Sequence, residues 1–360
     1  MINIRILCGA VLAAFSVAAH AQSSVTLYGS IDEGVTYTSN VKGHGTASVG
    51  PVAVPDFYGI RGTEDLGGGV AAIFALQNGF LSNTGASTIA GEAFSHFAYV
   101  GLSSKRYGTL TLGRQLDLTT ETLRLNSDGG LQYTFYLFHP ANLDNLGIRG
   151  DSINNSVKYV TPEYRGLKAA VLYGFADTST QPGRVVSADV IYSHGPLRAS
   201  AVYSSWRNHS IDLASQLGYT SFLGQSVSSS SLFLAKKQDI AGLSAAWSVN
   251  PYLDLHGVLT QVNLTSNVES GRMRTVEWGA DIHSSLANTV TLGGYVSWLT
   301  GTRYASLGIG DVYALSKRTI VYAQAVYQHA DGAGYAAIPL LSPSNSPNQT
   351  ALRVGIHHFF

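Results

Sequence analysis

Apolar and polar residues alternate along nearly the whole chain, in segments of about 9–11 residues, the length a tilted strand needs to cross a bilayer. A period of two gives a strand two unlike faces. Val25, Leu27, Ile31, Val35 and Tyr37 oppose Thr26, Tyr28, Ser30, Asp32 and Thr36. Leu197, Ala199, Ala201 and Tyr203 oppose Arg198, Ser200 and Val202, and Val290, Leu292, Val296 and Trp298 oppose Thr291, Gly293 and Tyr295. The last residues repeat the pattern: Leu352, Val354, Ile356, His358 and Phe360 share one face, with Arg353, Gly355, His357 and Phe359 on the other. A soluble sandwich uses shorter strands around one packed core. In lipid every backbone polar group must be paired, so a sheet of such strands has to close on itself. The predicted fold is all-β, a transmembrane antiparallel barrel whose last strand pairs beside the first.

The connections support this. Tight turns such as 64–68, 104–107, 161–165 and 194–196 alternate with longer loops near 38–55, 81–93, 115–153, 175–184, 264–273 and 331–350. Short turns at one end and long loops at the other characterise outer-membrane barrels. Aromatics recur near strand ends (Tyr37, Phe80, Tyr99, Tyr173, Tyr192, Tyr203, Tyr219, Trp298, Phe360), as interfacial girdles require. Arg5, the apolar run from Ile6 to Ala19 and the small-x-small Ala19-His20-Ala21 form a secretory signal, so residues 1–21 are expected to be cleaved. The single cysteine, Cys8, leaves with it, and 22–360 forms one barrel domain with neither disulfides nor thiolate chemistry. No later run is long and apolar enough for a transmembrane helix. Charged residues are only 12% of the chain, and losing Arg5 leaves a net charge of −1, which gives no reason to expect nucleic-acid binding.

Several blocks resemble the general porins of the Burkholderia/Neisseria type from Gram-negative bacteria. They are Ser24-Val25-Thr26-Leu27-Tyr28-Gly29-Ser30-Ile31-Asp32, Arg61-Gly62-Thr63-Glu64-Asp65-Leu66-Gly67-Gly68-Gly69, and Tyr99-Val100-Gly101-Leu102-Ser103-Ser104. Gly108-Thr109-Leu110-Thr111-Leu112-Gly113-Arg114-Gln115, Asn155-Ser156-Val157-Lys158-Tyr159, Tyr313-Ala314-Leu315-Ser316-Lys317-Arg318-Thr319 and the closing Val354-Gly355-Ile356-His357-His358-Phe359-Phe360 follow in the family's order. The resemblance implies a homotrimer of 16-stranded barrels in the outer membrane, in contact with its lipid and lipopolysaccharide, passing ions and small hydrophilic solutes. It also implies a third loop folded into the pore, about residues 116–152, and a terminal Phe360 that serves the assembly machinery.

That loop carries Asp117, Glu121, Asp128, Asp144 and Asp151 with Arg124 and Arg149. Acids facing a basic wall would set a transverse field, and charges in a narrow channel decide which ions pass. Candidate wall cations are Arg61, Arg114, Lys158, Lys168 and Arg198; Arg114 shares parity with Leu110 and Leu112, so it faces inward only if a bulge intervenes. Three arginines that the resemblance places at the eyelet are replaced by Phe57, His96 and Ser152. Weak ion selectivity is therefore expected.

A raw strand count gives 18 against 16 by resemblance, with Trp278–Ile282 and Val290–Gly294 as the surplus pair. Both numbers are even, as single-chain bacterial barrels require. Among the 11 histidines no zinc-protease motif occurs, and His357-His358 place their rings on opposite faces. No cofactor or metal is expected from sequence, and no enzyme; the alternatives are a barrel phospholipase or protease, or a substrate-specific or adhesin-type barrel. Glu33 shares the apolar face of Ile31 and Val35, which lipid would disfavour; the resemblance, in which the first strands meet neighbouring protomers, implies a trimer interface near water for it.

Overall fold

The computed structural model describes residues 24–51, 56–128, 135–147, 152–177 and 183–360. The signal segment 1–21 and the loop residues Arg149 and Asp151 lie outside that set.

Among the described residues, sixteen antiparallel strands close into one ring; the shorter His44–Gly50 and Ala86–Ser87 pair onto two of them, and two short strands lie outside it. Ser24–Val41 is flanked by the second wall strand and by the last. Its first part pairs with Asp56–Asp65, from Ser24 opposite Thr63 to Ser30 opposite Phe57. Its other edge pairs with Asn348–Phe359, from Ser30 opposite Phe359 to Thr38 opposite Ala351, and Gly29 and Phe360 exchange two further backbone bonds of 3.1 and 3.2 Å. The seam therefore runs to the last residue. The wall continues in chain order through Val70–Leu81, Phe97–Ser104, Gly108–Leu116, Ser152–Val160, Leu167–Gly174 and Val185–His194. It is completed by Leu197–Ile211, Phe233–Asn250, Leu253–Thr265, Ser270–His283, Asn288–Leu299, Thr302–Ala314 and Thr319–Gly332. The pair Trp278–Ile282 and Val290–Gly294 belongs to this ring of 16, which corrects the count of 18. What adds no wall strand is 212–232, whose Ser221–Phe222 and Gln225–Ser226 form a separate two-stranded ribbon.

The turn after Asp65 needs backbone that only glycine adopts freely. Gly67, Gly68 and Gly69 have φ of 81°, 61° and 78°, and the turn closes with Leu66 N–H donating to Val70 O at 2.9 Å. One backbone group of the first strand is paired by a side chain: the Asp56 carboxylate accepts the Asp32 N–H at 2.6 Å. An unpaired N–H at membrane depth would cost several kcal/mol, about what a lost hydrogen bond in hydrocarbon costs.

The two faces follow the alternation. Val25, Leu27, Leu110, Leu112, Val171, Leu243, Leu259, Val276, Leu307, Ile309, Leu352 and Val354 are exposed on the outside, where lipid is the solvent. The buried residues lie inside the ring. A barrel of this size leaves more interior than wall side chains can fill. Three loops fill much of it. The short helix Leu118–Leu123 and the 3₁₀ turns Arg124–Asn126, Phe135–Leu137 and Pro140–Asn142 line the inner wall. Leu213, Leu217 and Phe222 from 212–232, and Ala336, Ala337 and Ile338 from the loop before the last strand, join the same apolar cluster. Of the expected girdle aromatics, two are placed differently. Tyr99 faces the lumen, paired with Ala75 and Gly113, and Tyr219 sits in the 212–232 loop with its hydroxyl 3.0 Å from that of Tyr304.

Candidate functional site

The channel is bounded by the lumenal parity of the wall and by the loop between Leu116 and Ser152. That loop is fixed to the wall at several points. Trp206 donates its indole N–H to the Asp117 carboxylate at 2.9 Å, and Thr122 donates to Asp189 at 2.5 Å. Leu123 packs over Gly242 and Leu137 over Gly308, positions where any Cβ would press on the leucine. Tyr136 hydroxyl meets Thr36 at 2.9 Å, and Gln238 donates to the Leu143 carbonyl at 2.7 Å. The loop thus follows the inner surface from the helix side round to the first strand. Small wall residues are what let it approach.

The loop acids are divided by this path. Glu121 faces the lumen and pairs with Lys158 at 2.6 Å. Asp117, Asp128 and Asp144 are buried against the wall and do not face open channel. Asp117 accepts from Trp206, Thr119 and Asn145. Asp144 accepts from Thr260 at 2.7 Å and pairs with His139 at 2.5 Å, while the other ring nitrogen of His139 lies 2.8 Å from Glu277. Burial alone would pull His139 down, but Asp144 and Glu277 outweigh it and hold the imidazole up at about 10. Burial, with Glu277 and Asp281 adding like charge, pushes the Asp128 carboxyl up to about 10.

The wall cations separate in the same way. Arg61 is lumenal and exposed, its guanidinium 5.1 Å from the centre of the Tyr28 ring. Lys168 lies opposite Ile191 on the lumenal parity and is exposed. Arg198 is lumenal and reaches the loop, donating to Asn126 at 2.6 Å and to the Leu125 carbonyl. Arg114 keeps the outer parity, opposite Ala98. The register shift that could have turned it is absorbed on the facing strand, where Gly113 pairs with Ser156 and Gln115 with Ile153, and Asn155 has φ +49°. Its guanidinium is held by the Ser95 carbonyl, Asn154 and Glu92, the last at 3.0 Å. Of the three positions where arginines were expected by resemblance, all meet in one place. The Phe57 and His96 rings are 6.3 Å apart, and Ser152 donates to the His96 carbonyl at 2.5 Å. His96 is itself buried, with Nδ1 2.8 Å from the Gln77 amide nitrogen. This patch of wall carries none of the three guanidinium charges expected there.

A closed 16-stranded ring with an inward third loop is a porin architecture, and sequence comparison agrees. The Gram-negative porin family matches residues 9–333. The chain belongs to the Gram-negative porin family. It is 29% identical to an outer membrane porin of Bordetella pertussis, over 99% of each chain, and 30% identical to outer membrane porin protein 32 of Delftia acidovorans, over 98% of each. A major outer membrane protein P.IB of Neisseria meningitidis matches at 31% over 47% of this chain and 48% of its own. Among solved structures, the anion-selective porin from Comamonas acidovorans superposes with a TM-score of 0.78 at 24% identity, covering 94% of this chain and all of that one. An outer membrane protein of Vibrio cholerae superposes at 0.72 with 12% identity, covering 96% and 100%. This porin is an outer-membrane general diffusion channel for ions and small hydrophilic solutes.

Two groups escaped the sequence reading. Arg353 is wholly buried in the seam, donating to Tyr322 at 2.7 Å and to Thr36 at 2.9 Å, with Asp32 at 3.5 Å. Tyr322 donates to Asp32 at 2.5 Å. The other is the set of His139, His256, Glu277 and Asp281. The available signal was a charge on the inner parity of an alternating strand, but register is needed before such residues can be seen to meet.

Proposed function

We propose that this porin passes small anions in preference to cations. The observation that carries this is the burial of Asp117, Asp128 and Asp144 against the wall, while Arg61, Lys158, Lys168 and Arg198 stay on the lumenal side. Glu121 is largely offset by Lys158, so the loop contributes little free negative charge. Sequence alone pointed to weak selectivity because three eyelet arginines are replaced by Phe57, His96 and Ser152; the burial of the loop acids shifts the balance toward anions. A unit charge about 4 Å from an ion in water is worth about 1 kcal/mol, so a few uncompensated cations give an anion preference of roughly three- to fivefold at 0.1 M salt. Reversal potentials across a planar bilayer under a salt gradient should read that sign. The double variant Arg61→Gln/Lys168→Gln should bring the ratio close to one. Cation preference in the unaltered protein would defeat the reading.

The assembly is a homotrimer. Glu33 supports this: it stands on the outer parity, shares Ser82 with Asp56, and keeps one buried carboxylate oxygen without a hydrogen bond inside the chain. A neighbouring protomer would supply the missing donor in place of lipid. The rest of the apolar band faces outer-membrane lipid and lipopolysaccharide. Unheated electrophoresis should show a trimer, and deleting Phe360 should cut its yield severalfold, because the seam loses its last backbone pair and the assembly machinery its signal. Trimers that do form should conduct normally; normal yield would count against this role.

One contact favours an enzymatic reading, a Ser30 hydroxyl 2.5 Å from His357 Nε2. Both residues are fully buried, and the adjacent Asp32 carboxylate is engaged by Tyr322 and Arg353. With both partners buried, the diffusion channel remains the reading the geometry supports.

A further inference from the structure

Where the constriction loop meets the strands Leu253–Thr265 and Ser270–His283, four ionisable side chains are buried together. His256 projects inward from the first of these strands, and Glu277 and Asp281 project from the second. Asp128 comes down on them from the loop, its backbone N–H donating to Glu277 at 2.5 Å. His256 Nε2 is 3.5 Å from an oxygen of Asp128 and 3.5 Å from one of Asp281. Neither ring nitrogen of His256 makes a hydrogen bond, though the side chain is only 1% exposed. Asp281 Oδ1 and Thr291 Oγ1, on residues that are register partners, are buried and also lack a hydrogen bond. A buried imidazole with two idle nitrogens between three carboxylates costs free energy as it stands. It is also the wrong distance for a hydrogen bond and the right one for something else. Ligands about 2.0–2.2 Å from a tetrahedral metal are separated from one another by about 3.3–3.6 Å.

We propose that Asp128, His256 and Glu277 bind a divalent transition-metal ion of the zinc class, with Asp281 beside the His256 ring at 3.5 Å. Their donor atoms already lie within 4.8 Å of one another. One imidazole with carboxylates suits zinc and its neighbours in the series; calcium and magnesium take oxygen shells. The space for it is built into the wall. Gly279 and Gly293 face each other across paired strands, and a Cβ at either would collide with the Asp128 carboxylate; one at Gly279 would also strike the His256 ring. His139, bridging Asp144 and Glu277, holds the Glu277 carboxylate from behind, as outer-shell groups do around metal ligands. The charge balance points the same way. Among the described residues, the carboxyl groups of Asp128, Asp144, Glu277 and Asp281 outnumber the imidazoles of His139 and His256 packed with them, and a dication would offset the excess. Access comes from the short-turn end, where a cavity of about 390 Å³ is bordered by His194, Arg198, Asp254, His256 and Asp281. The bound ion would tie the loop to two wall strands, so the constriction would be metal-pinned.

The folded trimer in detergent, stripped with a chelator and then dialysed against zinc, should retain one zinc per protomer by elemental mass spectrometry. His256→Gln should lower the affinity at least tenfold, while His283→Gln, which alters a half-exposed histidine outside the cluster, should not. Zinc should raise the heat-dissociation midpoint of the unaltered protein and leave that of His256→Gln unmoved. If His256→Gln fails to assemble, zinc K-edge absorption of the unaltered trimer decides: one imidazole with two or three carboxylate oxygens is expected. No stoichiometric zinc in the folded trimer, equal zinc in His256→Gln, or a shell of two or more imidazoles would each overturn the site.

Discussion

Replacing Arg353 with methionine should lower the heat-dissociation midpoint of the barrel more than any lipid-face substitution. Arg353 joins the last strand to the first from inside, and its guanidinium is fully buried between Tyr322, Thr36, the Gly34 carbonyl and Asp32. Removing it leaves the Asp32 carboxylate in the interior with Tyr322 and no cation. Breaking a buried pair from one side costs about 3–5 kcal/mol, mostly as the penalty of the charge left behind. The double variant Asp32→Asn/Arg353→Met should recover a large part of that loss, since both charges then leave together. Circular dichroism melting of the detergent-solubilised protein measures both. If the single variant melts with the unaltered protein, the seam does not depend on this cation.

Gly293→Val should narrow the channel. The Cβ it adds would occupy the position of the Asp128 carboxylate, and the strand bearing Gly293 is a paired wall element that cannot retreat. The loop must give way, toward the lumen, and it takes an acid with it. Single-channel conductance is expected to fall by about half, with the anion preference reduced, because the pore cross-section and the charges in it set both. Leu292→Val, one residue away on the lipid face, should leave conductance unchanged. Unaltered conductance in Gly293→Val would mean that the loop is not seated on the wall as described.

Much of the fold was legible because membrane barrels obey a period of two over long stretches. The outer stripe of Val25, Leu27, Leu352 and Val354 is exposed as the alternation requires, and Arg61, Lys158, Lys168 and Arg198 lie on the inner parity. Parity also placed Arg114 outside, and a bulge on the neighbouring strand left it there. Girdle aromatics were less legible, since a tyrosine near a strand end reads the same whether it faces lipid, as Tyr173 does, or the lumen, as Tyr99 does.

The sequence by itself determined the class of the wall, the alternation of its two faces, and the closure of the last strand on the first. These depend on local periodicity and on the demand that every backbone group be paired in lipid. Only the tertiary structure decided what the loop acids do. Asp117, Asp128 and Asp144 read as channel charges until Gly242, Gly279, Gly293 and Gly308 are seen to let the loop sink against the wall. The same holds for His256, Glu277 and Asp281, which adjacent strands bring to one point through register. Register is a long-range quantity, set by pairing between strands and by where bulges fall. No local pattern carries it.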